Sequence, residues 1–221
     1  PGKSLKIGID YALDSSCKFV VKIDGDNQFE QSDVINILNI ANKNGVDFIK
    51  GDRFWPGGII GKIPKIRFLG NAIASLLIKF VTGNKNINDP LNGLFLFSSN
   101  LAKDIEIPKM FNRYGYPFYI NALINKLSLR KKIEIKQYRN KISYGNEISN
   151  LNPLLIFIKL IFFSITFFVS FIKEKLKYSD YQLSALLDIS SILSLLFSIF
   201  CLLRTFIIRL SIIQGNQGAW F

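Results

Sequence analysis

The sequence predicts an α/β domain followed by an apolar, helical segment. Up to about residue 150, short apolar runs typical of strands alternate with longer segments whose apolar residues recur at helical spacing. Beyond residue 150 apolar residues dominate, and two stretches are long enough to cross a bilayer. We therefore expect a mostly parallel sheet flanked by helices, with a membrane-associated C-terminal part.

The expected elements follow the apolar runs and the residues that flank them. Ser32 and Gly45 can cap the first helix, and Gly83 can end the second. In chain order we predict strands over about residues 19–23, 46–50, 94–97 and 132–138. Helices are predicted over about 33–44, 65–80 and 117–129, with one more beginning at a cap formed by Ser98 or Ser99.

Two carboxylates and a carboxamide follow the first predicted strand. Asp24, Asp26 and Gln28 come where this apolar run ends, and ligands of open α/β sheets gather at the carboxyl ends of strands. Their oxygens are hard ligands suited to Mg²⁺ or Mn²⁺, and Mg²⁺ usually shares such ligands with substrate phosphates. The sequence predicts a metal and diphosphate site here.

The spacing of the two aspartates is weak support by itself. In a chain of this composition, Asp-x-Asp arises by chance roughly 0.5 times, and requiring the glutamine as well lowers this to roughly 0.015. A solvated turn is the alternative interpretation of the bare pair. The position after a strand, together with Gln28, favours metal ligation.

The chain is both basic and apolar. Its net charge is +12 and its mean hydropathy is +0.25. This combination indicates an anionic membrane surface or a phosphate-bearing partner. A nucleic-acid partner is disfavoured, because the sequence has no RNP-like aromatic motif, zinc-finger spacing or dense basic helix. With no histidine, and with Cys17 far from Cys201, zinc sites, disulfide scaffolds and His-dependent catalysis are excluded or strongly disfavoured.

Two apolar stretches dominate the C-terminal part. Residues 154–172 contain one charge, Lys159, and are long enough to span a bilayer, but their polar side chains fall close to one helical face, as in a helix lying in the interface. Residues 186–208 have an uncharged centre and are the better spanning candidate, with Asp188 expected near a headgroup boundary. Buried helices of a soluble protein are the weaker alternative for both.

Five motifs occur in an order that resembles family 2 glycosyltransferases. They are Asp24-Gly-Asp-Asn-Gln28, Gly51-Asp-Arg53-Phe54, Arg67 fourteen residues after Arg53, Asp89-Pro-Leu-Asn-Gly93 and Tyr144-Gly-Asn-Glu-Ile-Ser149. The sequence most resembles the branch of dolichol-phosphate mannose synthases and bacterial polyprenyl-phosphate glycosyltransferases. The resemblance covers nearly the whole chain.

This resemblance implies a GT-A fold and the transfer of a sugar from a nucleotide-sugar donor to a polyprenyl phosphate. The roles it implies are metal ligation by Asp24, Asp26 and Gln28, acceptor-phosphate binding by Arg53, Arg67 and Asn71, a place beside the reacting sugar for Asp89, and a mobile loop containing Tyr144, Gly145, Glu147 and Ser149. Of these, Asp89, Arg53 and Arg67 would be catalytic.

The residue types suit such a reaction. A lipid phosphate is already an anionic nucleophile at neutral pH, so its attack on the anomeric carbon needs little help from a general base, in keeping with a chain that lacks histidine. The reaction needs two anions to be neutralised, the leaving diphosphate and the incoming phosphate. A metal would serve the first, and arginines, which bind phosphate oxygens in a bidentate manner, the second. Direct displacement would invert the anomeric configuration.

Other interpretations remain open. Arg53 and Arg67 could be surface charges or structural ion-pair partners, and Asp89, which precedes a proline, could begin a turn. A processive polysaccharide synthase of the same superfamily is a second functional class, although its Gln-x-x-Arg-Trp motif is absent. A third class is a non-enzymatic, membrane-anchored binding protein.

The resemblance also divides the chain. Residues 1–150 would be a catalytic domain lacking its N-terminal part, 151–183 a juxtamembrane or transmembrane helix with a connector, and 184–221 a transmembrane helix and the loop after it. The catalytic domain would face the cytoplasm in a multi-pass protein whose last helix lies beyond residue 221. The expected partners are a nucleotide-sugar, a polyprenyl phosphate and the lipid bilayer, and a homo-oligomer is left open.

Overall fold

A computed structural model describes residues 1–26, 28–56, 58–60, 63–143 and 153–213. The chain forms two compact units, Pro1–Phe171 and Ile172–Phe221. The strands are β1 (Phe19–Lys22), β2 (Phe48–Asp52), β3 (Ile59–Ile60), β4 (Phe95–Ser98), β5 (Ile135–Arg139) and β6 (Ile142–Ser143). The α-helices are α1 (Gly2–Asp14), α2 (Gln31–Asn44), α3 (Lys65–Thr82), α4 (Ser99–Ala102), α5 (Tyr116–Leu127), α6 (Pro153–Lys175) and α7 (Ser179–Ile213), with a 3₁₀ turn at Lys109–Phe111.

The main sheet is mixed, which corrects the expectation of a mostly parallel one. Its four strands lie in the order β1-β4-β2-β5, and β4 runs antiparallel to both of its neighbours. β2 and β5 are parallel, so β1, β2 and β5 point in one direction and β4 alone in the other. β1 is also a partly buried edge strand in the described sheet, not the buried parallel strand that its apolar run suggested. A short apolar run carries no information about strand direction, which is why this was missed.

The sheet separates two hydrophobic layers. Phe95 and Phe97 of β4 face one layer and stack with Phe48 of β2 at centroid distances of 5.4 to 5.8 Å. Leu96 of β4 and Ile49 of β2 face the other layer, which α2 covers. This alternation follows from the two-residue period of a strand, and β4 and β2 are the two interior strands, buried on both faces.

The residues that cap the ends of helices were predicted most accurately. Gly45 and Gly83 end α2 and α3 in the left-handed region, with φ of 63° and 68°. The Ser98 hydroxyl accepts a hydrogen bond from the Leu101 N–H and caps α4, as predicted. Ser32, in contrast, is not the cap of α2, which begins after Glu30. Neither α1 nor the small parallel pair β3–β6 was predicted.

α6 is apolar on both sides, but only one of its faces is buried. Leu160, Phe163, Phe167 and Phe171 recur every three or four residues and are buried in the first unit, while the opposite face is exposed. Both α6 and α7 are long and apolar enough to cross a membrane. One third of the apolar window of α6 is buried, against none of the window of α7.

The second unit contains an ion pair that involves the one acidic residue within the apolar stretch of α7. The Lys175 ammonium donates to Asp188 Oδ2 at 2.7 Å and to the Ser184 hydroxyl at 3.1 Å. Asp188 was expected to need a polar headgroup nearby. Its carboxylate is paired with the Lys175 ammonium, and its depth relative to a membrane stays a prediction.

Candidate active site

Strand direction brings three of the predicted motifs to one edge of the sheet. β1 and β2 both end at this edge, so Asp24 and Arg53 leave the sheet there. Because β4 runs in the opposite direction, it begins at the same edge, and the turn of residues 89–93 lies just before it. The antiparallel strand therefore helps to assemble the candidate site, since its start meets the ends of its neighbours.

Gly93 places this turn directly against the acidic turn after β1. A Cβ at position 93 would overlap Asp24 Oδ2 and would lie 3.0 Å from its Cγ and 2.9 Å from Lys22 Nζ. Gly51 in β2 likewise leaves room for the side chains of Asn140 and Asn92, because a Cβ there would lie 2.6 Å from Asn140 Oδ1 and 2.8 Å from Asn92 Oδ1. Only glycine allows these close approaches.

Arg53 and Asp89 form the tightest polar contact of the candidate site. The Arg53 guanidinium donates through Nη2 to Asp89 Oδ1 at 3.0 Å, and its Nε lies 2.9 Å from Oδ2. The Arg53 backbone N–H also donates to Oδ2, at 3.1 Å. The Asp89 side chain is fully buried, whereas 15% of the Arg53 side chain is exposed. Asp89 thus fixes the guanidinium in a two-point geometry.

Buried amides complete the surroundings of the Asp89 carboxylate. The Asn92 side-chain amide donates to Asp89 Oδ2 at 2.9 Å and to Asn140 Oδ1 at 3.1 Å. The side-chain oxygen of Asn92 accepts from the Leu94 N–H. Asp89 has a backbone φ of 48°, a conformation that Asp and Asn adopt more readily than other non-glycine residues. The Asp89 carboxylate therefore accepts only from protein donors among the described residues and is not exposed at the surface.

Lys50 supports this turn from inside the sheet. It lies on β2, is almost fully buried, and its ammonium donates to the backbone carbonyls of Asn88 and Asp89. Burial lowers the pKa of Lys50 to about 8 from its ordinary value of 10.5, although the charges of Asp89 and Asp52 oppose this shift. Sequence reasoning missed Lys50, and the available signal was a lysine that directly follows the apolar residues Phe48 and Ile49 of a strand.

We predict that Lys50 makes stability depend on pH. Between about pH 8 and 10.5 the unfolded chain binds the proton that the folded chain has lost, so the free energy of unfolding should rise with pH in this window and be flat below it. Lys50→Met should reduce the rise to the part contributed by Lys22, whose pKa burial also lowers. Chemical unfolding followed by Trp55 fluorescence measures it, with Lys43→Met, at an exposed lysine, as control. A rise of unchanged size in Lys50→Met would contradict the assignment.

The predicted metal ligands lie in an accessible turn. The Asp24 side chain is 44% exposed and is paired with the Lys22 ammonium, which also lies 5.2 Å from the centroid of the Tyr116 ring. Burial lowers the pKa of Lys22, and the charge of Asp24 opposes that shift. Asp26 is exposed and accepts from the Gln28 N–H at 3.2 Å. The donor set, two carboxylates and an amide on one turn, fits Mg²⁺ or Mn²⁺.

This turn is not a preformed metal cluster. No group of three or more histidine, cysteine, aspartate or glutamate side chains is gathered among the residues that the structure describes. A metal held by Asp24, Asp26 and Gln28 would therefore need further ligands from a substrate, as Mg²⁺ usually has. Metal ligation by these three residues stays a prediction.

The two predicted acceptor residues on α3 share its inner face. Arg67 and Asn71 are one helical turn apart, and Asn71 is buried, with an Oδ1 that has no hydrogen-bond partner within the described part of the chain. The rings of Phe54 and Phe68 meet edge to face at 5.7 Å, which joins the residue after Arg53 to the first turn of α3. The start of α3 thus lies against the segment that carries Arg53.

The predicted mobile loop of Tyr144, Gly145, Glu147 and Ser149 lies outside the described residues. Trp55, which follows the motif that carries Arg53, donates from its indole N–H to the backbone carbonyl of Asn140 at 2.9 Å. Lys22, Asn92 and Asn140 also contribute to the site and were missed. Lys22 and Asn92 pair with the nearby Asp24 and Asp89, whereas the contact of Asn92 with Asn140 joins residues that are distant in sequence.

Comparison with known proteins gives no relative: no protein family matches this chain, and no curated protein is similar to it. The resemblance to glycosyltransferases therefore rests on the ordered motifs themselves. What the structure adds is that three of these motifs, 24–28, 51–54 and 89–93, are in direct contact or share one sheet edge.

Proposed function

We propose that this chain carries the catalytic domain of a GT-A glycosyltransferase that moves a sugar from a nucleotide-sugar to a polyprenyl phosphate at a membrane. The observation that carries the proposal is the pairing at one sheet edge of an exposed two-carboxylate turn with an arginine fixed by a buried aspartate. A bound metal ion next to an arginine can neutralise two anions that react with each other, here the donor diphosphate and the acceptor phosphate.

The donor end of the site would be the acidic turn. Asp24, Asp26 and Gln28 would hold Mg²⁺ or Mn²⁺, which would neutralise the charge that develops on the departing nucleoside diphosphate. Gly93 keeps space beside Asp24. Lys22 holds Asp24 in place and brings a second positive charge near the diphosphate.

The acceptor end would be formed by Arg53, Arg67 and Asn71. Arg53, whose guanidinium Asp89 orients, would bind an oxygen of the acceptor phosphate. Asn71 offers a buried amide one turn from Arg67. In this proposal Asp89 acts through Arg53 and is a positioning residue, because its carboxylate is enclosed by Arg53 and Asn92.

The reaction then needs no general base. An oxygen of the acceptor phosphate attacks the anomeric carbon, and the bond from that carbon to the donor diphosphate breaks, with the electron pair leaving on the diphosphate oxygen. No proton moves, and the anomeric configuration inverts. Two helices long and apolar enough to cross a membrane support a lipid acceptor, and we place the catalytic domain on the cytoplasmic side.

The assay that tests this function uses the full chain in membranes, a labelled nucleotide-sugar and a polyprenyl phosphate. A single labelled sugar should enter the lipid fraction, and Arg67→Ala should raise KM for the lipid phosphate by about tenfold to a hundredfold, with a much smaller change in KM for the donor. Arg113→Ala, at an exposed arginine, is the matched control.

Three results would count against the proposal. Label in a polymer would favour the processive synthase, and no transfer to any polyprenyl phosphate would favour the binding protein. An equal rise of both KM values in Arg67→Ala would remove its role in acceptor binding.

A further inference from the structure

We propose that α3 lies on the membrane surface with its outer face inserted into the interface of an anionic bilayer. α3 is apolar on both sides. Its inner face packs in the core through Ala74, Ile78 and Val81, and its outer face exposes a second set of large apolar side chains. These are Ile66, Phe68, Leu69, Leu76 and Phe80, each more than half exposed.

Such a face is unusual for a helix that packs on a water-soluble domain. A surface helix normally places polar and charged residues opposite its buried stripe. Five large apolar side chains in an 18-residue helix instead form a patch of the kind that marks an interaction site.

The outer face of α3 is continuous with that of α6. The rings of Phe80 and Phe168 lie 5.5 Å apart, so the end of α3 touches α6 within the first unit. α6 exposes Ile158, Phe162, Ile165 and Val169 along the face opposite its buried stripe. The two helices together present one apolar surface.

The charges on these helices favour an anionic bilayer over a second copy of the chain. α3 carries Lys65, Arg67 and Lys79 and no carboxylate, and the part of α6 in the first unit carries only Lys159. Lysine and arginine beside an apolar helix face are typical of helices that lie in the headgroup region of anionic membranes. Lys65 and Lys79 flank the outer face of α3, so two copies that met through this face would bring these like charges together.

One consequence rests on the proposed function. Arg67 and Asn71 lie on the inner face of the same helix. A helix inserted from its outer face would keep these residues at the depth of the headgroups, where the phosphate of a polyprenyl phosphate resides. The acceptor phosphate would then reach the site without leaving the membrane surface.

The test is the depth of spin labels on the full chain in nanodiscs of neutral and anionic lipid. Cys17 and Cys201 are replaced by serine, and single cysteines are introduced as Leu69→Cys or Leu76→Cys, at residues that are 56% and 69% exposed. The control is Ile35→Cys on α2, an apolar residue with a similar exposure of 62%. Collision rates with oxygen, which concentrates in lipid, are compared with those of a water-soluble nickel complex.

Labels at positions 69 and 76 should collide more with oxygen than with nickel, whereas the label at position 35 should show the reverse. Nickel access at 69 and 76 equal to that at 35 would overturn the proposal. Protection from both reagents, with spin–spin broadening that depends on the labelled fraction, would show a second copy instead and would also overturn it. These readouts do not require transfer activity, so they separate a failure of membrane docking from a failure of the proposed reaction.

Discussion

Asp89→Ala should abolish most of the transfer activity and destabilise the first unit. The substitution leaves the Arg53 guanidinium without the buried carboxylate that it contacts at two points, and removal of one partner of a buried pair costs about 3 to 5 kcal/mol. Because Asp89 has a φ of 48°, alanine also adds backbone strain. We expect transfer to fall by at least about a hundredfold, measured as kcat/KM, with unfolding followed by Trp55 fluorescence.

Asp89→Asn separates the effect of losing the negative charge from the effect of backbone strain at position 89. Asparagine tolerates the left-handed conformation and can still accept from the Arg53 N–H, but it leaves the Arg53 charge unpaired. This variant should therefore lose less stability than Asp89→Ala and still lose most of the activity. A double-mutant cycle gives the coupling. If Asp89 acts through Arg53, the double variant of Arg53→Ala and Asp89→Ala should transfer no more slowly than either single variant. Losses that simply multiply would mean that Asp89 has a separate role, for instance on the sugar.

Gly93→Ala should raise the metal concentration that transfer requires, with little effect on stability. The new Cβ would overlap the Asp24 carboxylate, which is partly exposed and can rotate away without disturbing the core. The fold should therefore tolerate the change, while Asp24 loses the position from which it would bind the metal. We expect the metal concentration for half-maximal activity to rise by about tenfold to a hundredfold, as for loss of a supporting interaction at a metal site.

Gly8→Ala is the matched control for this substitution. A Cβ at position 8 of α1 meets no atom within 4 Å, and alanine is the better helix former, so this variant should be as active as the wild type and slightly more stable. Unchanged metal dependence in Gly93→Ala would separate the turn of residues 89–93 from the metal site and so contradict the account.

Local chemistry made much of the fold predictable. The ends of α2 and α3 follow from Gly45 and Gly83, because a left-handed C-terminal residue is cheap only for glycine. The start of α4 was predictable from Ser98, because a serine hydroxyl can accept from a backbone N–H in the first turn of a helix. Strand positions came from apolar runs and were correct to within a few residues, as for β2, predicted at 46–50 and observed at Phe48–Asp52.

Features that depend on distant partners were not predictable in the same way. The run of residues 94–97 reveals a strand but not its direction, which depends on the path of the chain through α3. Likewise, Arg53 and Asp89 each appear in a motif, but nothing local shows that they bind each other across 36 residues. Lys50 would be assigned to a solvent-facing position by its charge, and only the fold reveals the two backbone carbonyls that satisfy it.

The most direct test of the central claim, a cation site and an arginine site acting on two phosphate groups, is the metal dependence of transfer. Membranes containing the chain are given a labelled nucleotide-sugar and a polyprenyl phosphate, first with EDTA and then with excess Mg²⁺ or Mn²⁺. We predict that EDTA stops the transfer of label to lipid and that either metal restores it, but not in Asp24→Asn or Asp26→Asn. Transfer that continues at full rate in EDTA would contradict the account.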